Sequence, residues 1–335
     1  GSFPIKYLGM PVSYTSLRNS NWEFIVCKYL KRFEAWVGNA ASMGGRHTLL
    51  DSVVTQLSLY HMSMWLMNKT FIEKLDKHRR KFFWQGCNKK KRYYLVKWSR
   101  ICRSKEKGGQ GIKDLHKQNI SLMVKWWWKL EKKKGLWQDI VKAKYLKKTS
   151  VAMVKHKASD SPCWKSLLKV KDLYMLGRGI NLNRGDVARL WLDSLDGRIP
   201  FKDRFQLLFE TCIDQNCTVD KFKYVDQISS FRRRMSHEMT KQWEEMKKEM
   251  LTLKQSDLPD EVYWKLDRSG KYNTKSMYTW LERDIAGSNF KWIWDAKLPL
   301  KIKIFLWQMA QNAILTRDNM KKRLWPGDSC CSFCD

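Results

Sequence analysis

Leu298-Pro299-Leu300-Lys301-Ile302-Lys303-Ile304-Phe305-Leu306-Trp307 sets the reading of this chain. Together with Trp294, the positions Leu298, Ile302, Phe305 and Leu306 fall three or four apart, the period of a helix that buries one face. Thr316 then predicts a second helix start as N-cap, with Asp318 in the first turn, where a carboxylate complements the helix dipole. Beyond a turn at Pro326-Gly327 come Cys330 and the pair Cys331-x-x-Cys334. Two thiolates so spaced can grip adjacent corners of a zinc tetrahedron. A closed site needs two more ligands, and the sequence given stops at Asp335.

Working outward, the same helical period recurs. Trp22, Ile25, Val26, Tyr29, Phe33 and Trp36 predict one helix, stopped at Gly38-Asn39. A turn at Gly44-Gly45-Arg46 leads to a second over 48–65, with Leu50, Val53, Val54, Leu57 and Tyr60 inward. Phe71, Leu75, Phe82 and Phe83 mark a third, whose polar face carries Lys74, Lys77, His78, Arg79, Arg80 and Lys81. A basic loop follows at Asn88-Lys89-Lys90-Lys91-Arg92. Lys107-Gly108-Gly109-Gln110-Gly111 lacks the Gly-Lys-Ser/Thr ending of a phosphate loop and reads as a turn. In the helix over 115–131, Trp126-Trp127-Trp128 cannot all face one core.

Farther on, 147–162 is polar and weakly periodic, the reading of a linker or mobile loop. Met235, Met239, Trp243, Met246, Met250 and Leu253 form the soft, sulfur-rich face of an amphipathic helix. Tyr263-Trp264-Lys265-Leu266 and Lys271-Tyr272-Asn273, joined at Asp267-Arg268-Ser269-Gly270, read as a hairpin, with Thr274 capping the next helix.

The 335 residues exceed what one core usually serves, so several modules are expected. Sixty-five Lys and Arg stand against 33 Asp and Glu, a formal charge of +32. That excess makes a polyanion the expected partner, since each neutralised phosphate releases counterions. Nine scattered Cys, an odd number, give no secreted disulfide framework and imply a reducing compartment, nuclear or cytoplasmic. No apolar run reaches transmembrane length. The six His pair with no Cys or carboxylate in a catalytic motif.

These motifs carry a resemblance. The run Trp-Ile-Trp, Leu-Pro-Leu-Lys-Ile-Lys-Ile-Phe-Leu-Trp, Ile-Leu-Thr-Arg-Asp-Asn, Trp-Pro-Gly-Asp and Cys-x-x-Cys resembles the zinc-binding region closing the second open reading frame of plant non-LTR (LINE-type) retrotransposons. Gly44-Gly45-Arg46 and Phe82-Phe83-Trp84-Gln85-Gly86 resemble the thumb of the same polymerases. Cys331 and Cys334 match that family's first two zinc ligands; the His and Cys that follow there have no counterpart here. The family's palm, with the paired Asp that holds two metal ions, has none either, and the single Asp226 after Tyr224-Val225 is read as coincidence.

The resemblance and the residues together imply a mainly α, multi-module protein: a thumb-like helical bundle (3–86), a basic Trp-rich connector (87–160), a mixed central module with small β-rich inserts (161–260) and a truncated zinc-finger-like end (261–335). The expected function is non-catalytic binding of RNA, DNA or an RNA/DNA hybrid by a retroelement remnant or domesticated product. Arg46, Lys77, Arg79, Arg80, Lys81, Lys89, Lys90, Lys91, Arg92, Tyr93 and Trp98 are its candidate contacts, the aromatics by stacking on bases. No cofactor is expected, except zinc shared between chains through Cys331 and Cys334. The alternative is a protein-binding module of a selfish-element, toxin/antidote or immunity system, holding its partner on aromatic and Met-rich surfaces.

Overall fold

Phe71, Leu75, Phe82 and Phe83 line the buried side of the Lys69–Gln85 helix in the computed structural model, as their spacing predicts, and Ile72 joins them. The structure describes residues 3–36, 41–86, 92–147, 149–224, 230–232, 235–253 and 256–327. The protein is mainly helical, with two small two-stranded sheets among the described residues. Its contacts divide it into two units, Gly1–Ile120 with Tyr278–Asp335, and Ser121–Met277. The first unit therefore takes in both ends of the chain. Among the described residues no helix is long and apolar enough to cross a membrane.

In the first unit, the Ile5–Tyr7 and Met10–Val12 strands pair antiparallel. The Glu23–Glu34 helix buries Ile25, Val26 and Tyr29; its expected stop at Gly38-Asn39 lies outside the described residues. Gly44-Gly45-Arg46 is not a turn. Ser42 caps a helix over Met43–Leu49, its hydroxyl accepting from the Gly45 amide. A π-helical turn, Leu50–Val54, joins this to the Gln56–Met62 helix. The extra residue rotates everything after it by one position. Ser58 and His61 thus point inward where Leu57 and Tyr60 were expected, and Tyr60 is half exposed.

The Leu300–Ala310 helix forms where expected, but its buried side is Ile304, Trp307 and Gln308. Ile302 and Phe305, expected inside, are 38% and 50% exposed. The segment is apolar around most of its circumference, so period alone does not choose a face. Trp307 Nε1 donates to the Gly108 carbonyl at 3.0 Å, and His47 Nε2 to that of Gln110 at 3.0 Å. The Gly108-Gly109-Gln110-Gly111 stretch is thus a buried turn, with Gly108 and Gly111 at positive φ. Thr316 caps the Arg317–Lys321 helix as predicted, accepting from the Asn319 amide.

In the second unit, Trp127 is buried against Trp164 and donates to the Leu167 carbonyl at 2.9 Å, while Trp126 packs on Trp137. One indole of three occupies the core, as helical geometry requires. The expected linker is packed instead: Val151 and Val154 are buried, and Lys171 Nζ donates to the Ala152 and Val154 carbonyls. Arg178–Asn181 pairs antiparallel with Glu261–Trp264 rather than leaving that strand to a local hairpin. The turn survives, with the Trp264 amide bonded to the Gly270 carbonyl, and Asn273, not Thr274, caps the next helix by accepting from the Ser276 amide. At Arg178 the guanidinium forks onto Glu131 at 2.7 and 2.8 Å and also reaches Asp193. Met239, Trp243 and Met246 of the His237–Leu251 helix join a core with Trp191, Phe222 and Phe231. The Met-rich face is therefore occupied from within.

Candidate nucleic-acid interface

Trp98, Ile101 and Cys102 turn into the first unit's core from the short Trp98–Ile101 helix, leaving Lys97, Ser99 and Arg100 exposed on its other side. The helical period explains the division: Lys97, Arg100 and Arg103 fall three apart, and three residues make almost one turn. Facing them is the segment 311–323. Arg323 Nη2 reaches the Leu95 carbonyl at 3.4 Å, and Arg100 Nη1 donates to Gln311 Oε1. Asn319 Nδ2 holds the second wall by bonding the Ile314 and Asn312 carbonyls at 2.8 and 3.0 Å.

Between these walls lies a cleft of about 600 Å³ lined by Lys97, Arg100, Arg103, Lys322 and Arg323, with no carboxylate in its lining among the described residues. Unopposed cations on a concave surface focus a positive field and favour an anion. Arg323 lies 5.6 Å from the Tyr93 ring centre, and Arg80 5.7 Å from that of Tyr94. Both tyrosines are about half exposed.

The candidates from the sequence divide around this cleft. Tyr93 is exposed beside Arg323 of the cleft, and Arg92 is exposed; Lys77 and Lys81 are exposed on the Lys69–Gln85 helix, and Arg80 is half-buried there. Arg79 has no exposed surface. Its guanidinium donates to Asp76 at 2.6 Å, Thr55 Oγ1 at 3.1 Å and the Lys113 carbonyl at 2.9 Å. Burial works against its charge, yet Asp76 holds its pKa above the usual arginine value. Arg46 is buried beside Gly86, and Trp98 is a core residue 5.5 Å from the Arg79 guanidinium. These three side chains stabilise the unit and are not displayed. Lys89, Lys90 and Lys91 lie outside the described residues.

Sequence reasoning missed Lys97, Arg100, Arg103, Lys322 and Arg323. The triplet spacing of the first three and the run Lys321-Lys322-Arg323 were the available signals. What joins them is a fold contact across more than two hundred residues.

Cys331 and Cys334 also lie outside the described residues. Among the described ones, no group of three or more His, Cys, Asp or Glu could hold a metal ion. The pair furnishes two of the four ligands a tetrahedral zinc needs.

The protein is thus helical and strongly basic, and its first unit carries a cleft lined by five cationic side chains. Residues 272–335 match the family described as zinc-binding in reverse transcriptase, and this stretch includes the cleft's second wall. A candidate ribonuclease H protein of Arabidopsis thaliana is 25% identical over 346 residues, covering 97% of this chain and 54% of that protein. An uncharacterised mitochondrial protein of the same plant is 27% identical over 139 residues, 41% of this chain and 90% of the relative. This chain thus spans about half the length of the first relative. The resemblance to plant retroelement-derived proteins is borne out by these matches.

Proposed function

We propose that the protein binds RNA, DNA or an RNA/DNA hybrid through its phosphates, without catalysis, as a remnant or domesticated product of a plant LINE-type retroelement. The observation that carries this reading is the cleft lined by five cations and, among the described residues, no carboxylate. Lys97, Arg103 and Lys322 supply charge without stitching the walls together, so they are the residues to reverse.

The test is binding of a labelled RNA/DNA hybrid across a salt series. Neutralising about four phosphates gives a slope near −3 to −4 in log affinity against log salt. Lys97→Glu, Arg103→Glu and Lys322→Glu combined should lower affinity at least tenfold and flatten that slope, with the thermal midpoint unchanged. Salt-insensitive binding, or an unaffected triple variant, would refute the reading.

A second reading, a protein-binding module, rests on the exposed row Leu298, Ile302, Phe305 and Met309. The Met-rich helix does not contribute, being covered by its own core. Proteins captured from plant extract that persist after nuclease treatment and are lost on Phe305→Ser would support it over the first.

A further inference from the structure

The second unit carries a pocket of different chemistry. Its wall is apolar: Trp164 is buried, and Tyr145 stacks on it with ring centres 4.4 Å apart and planes 8° from parallel, beside Met153 and Val154. Tyr145 is held by a 3.0 Å hydrogen bond between its hydroxyl and Ser161 Oγ. Around the opening stand Lys144, Lys147, Lys155, His156 and Lys157, and the cavity measures about 770 Å³.

None of the four lysines forms a salt bridge among the described residues. The one carboxylate in the lining among the described residues, Asp160, is almost fully buried and accepts from the Lys157 backbone amide at 2.7 Å. It serves the turn. Lys171, bonded to two carbonyls of the same loop, has its pKa lowered by burial and by the charges of Lys202 and Lys155. The segment thus sets lysines over an aromatic wall, with the Lys144 ammonium 5.3 Å from the Tyr145 ring centre, where an entering ring would displace it.

An aromatic wall accepts a flat ring, and ammonium groups beside it accept phosphate. The volume is within the range of small-molecule sites. We propose that this pocket binds a phosphorylated nucleoside, with the base against Tyr145 and the phosphates among Lys147, Lys155 and Lys157. The ligand is either a free nucleotide or one nucleotide of a strand. This site lies wholly in the second unit and does not depend on the cleft of the first.

The experiment is equilibrium dialysis of the whole protein against labelled ATP, inorganic tripolyphosphate and a 5′-phosphorylated RNA hexamer at one ionic strength. ATP should bind at least tenfold more tightly than tripolyphosphate, because only ATP offers a ring. Lys155→Glu with Lys157→Glu should weaken ATP binding at least tenfold, while the Lys97, Arg103 and Lys322 triple variant leaves it within twofold. Tighter hexamer than ATP binding, lost in the Lys155/Lys157 variant, assigns the site to a strand; the reverse order assigns it to a free nucleotide. Equal affinity for ATP and tripolyphosphate, or ATP binding that ignores the Lys155/Lys157 change while the protein stays folded, would overturn the proposal. Failure of hybrid binding at the other cleft leaves the ATP result standing on its own.

Discussion

Gly44 lies against Lys301: a Cβ on Gly44 would stand 2.9 Å from the Lys301 backbone nitrogen and 3.4 Å from the Leu300 carbonyl carbon. The Met43–Leu49 and Leu300–Ala310 helices approach closely only because position 44 has no side chain. One residue near the start of the chain thus admits a helix near its end.

Gly44→Ala should therefore destabilise the first unit by about 1–3 kcal/mol, the usual cost of overpacking. At the adjacent Gly45 a Cβ would meet Ala41 and Ser42 at ordinary contact distances of 3.6 and 3.7 Å. Gly45→Ala should stabilise by up to about 1 kcal/mol, through helix propensity. Chemical denaturation of the two variants checks this; equal effects would contradict the close approach.

Arg178 sits between Glu131 and Asp193, all three largely buried. Burial opposes the guanidinium charge, but the two carboxylates hold its pKa above the ordinary arginine value. Arg178→Met would leave both carboxylates buried without their cation. The expected loss is about 3–5 kcal/mol in the second unit, measurable by urea titration. A variant as stable as the parent would show that the network is dispensable.

Three histidines of the first unit are held below the ordinary value of 6.5, His47 and His61 mainly by burial, and His78 by burial and then by Lys74, Lys77 and Lys81. A depressed histidine is neutral in the folded state while the unfolded chain takes up the proton. Stability is therefore complete above about pH 6.5 and is lost as pH falls through the folded values. Thermal midpoints should drop steadily below that pH. His47→Gln with His61→Gln should make the drop shallower, and an unchanged profile would assign the acid sensitivity elsewhere.

Zinc shared between chains requires the thiolates of Cys331 and Cys334 from two molecules. Metal analysis of the folded protein should then give one zinc per two chains, with dimers in sedimentation that a chelator separates. Cys331→Ser with Cys334→Ser should yield monomers without zinc. One zinc per monomer would disprove sharing.

Much of the site was only half legible. Tyr93, picked out as an aromatic beside a basic run, stands 5.6 Å from Arg323 of the cleft, and Arg80 lies 5.7 Å from the neighbouring Tyr94. Arg79 belongs to the same run but faces the opposite way, into Asp76. Sequence neighbours on a helix diverge by 100°, so a basic run names a helix without saying which members reach solvent. The second wall, Lys322 and Arg323, could not be joined to Arg100 from local pattern at all.

The sequence by itself determined the helical class, most helix positions, the Thr316 cap, the inward Met239-Trp243-Met246 face and the expectation of an anionic partner. These follow from periodicity, cap chemistry and summed charge, which are local or additive. Tertiary structure decided which side of the Leu300–Ala310 helix is buried, that a π turn rotates Ser58 inward in place of Leu57, that Glu261–Trp264 pairs with Arg178–Asn181, and that both chain ends share one unit. Each of these is settled by a contact between distant segments, and near-equal local alternatives are decided by whichever arrangement buries the most surface without leaving a polar group unpaired.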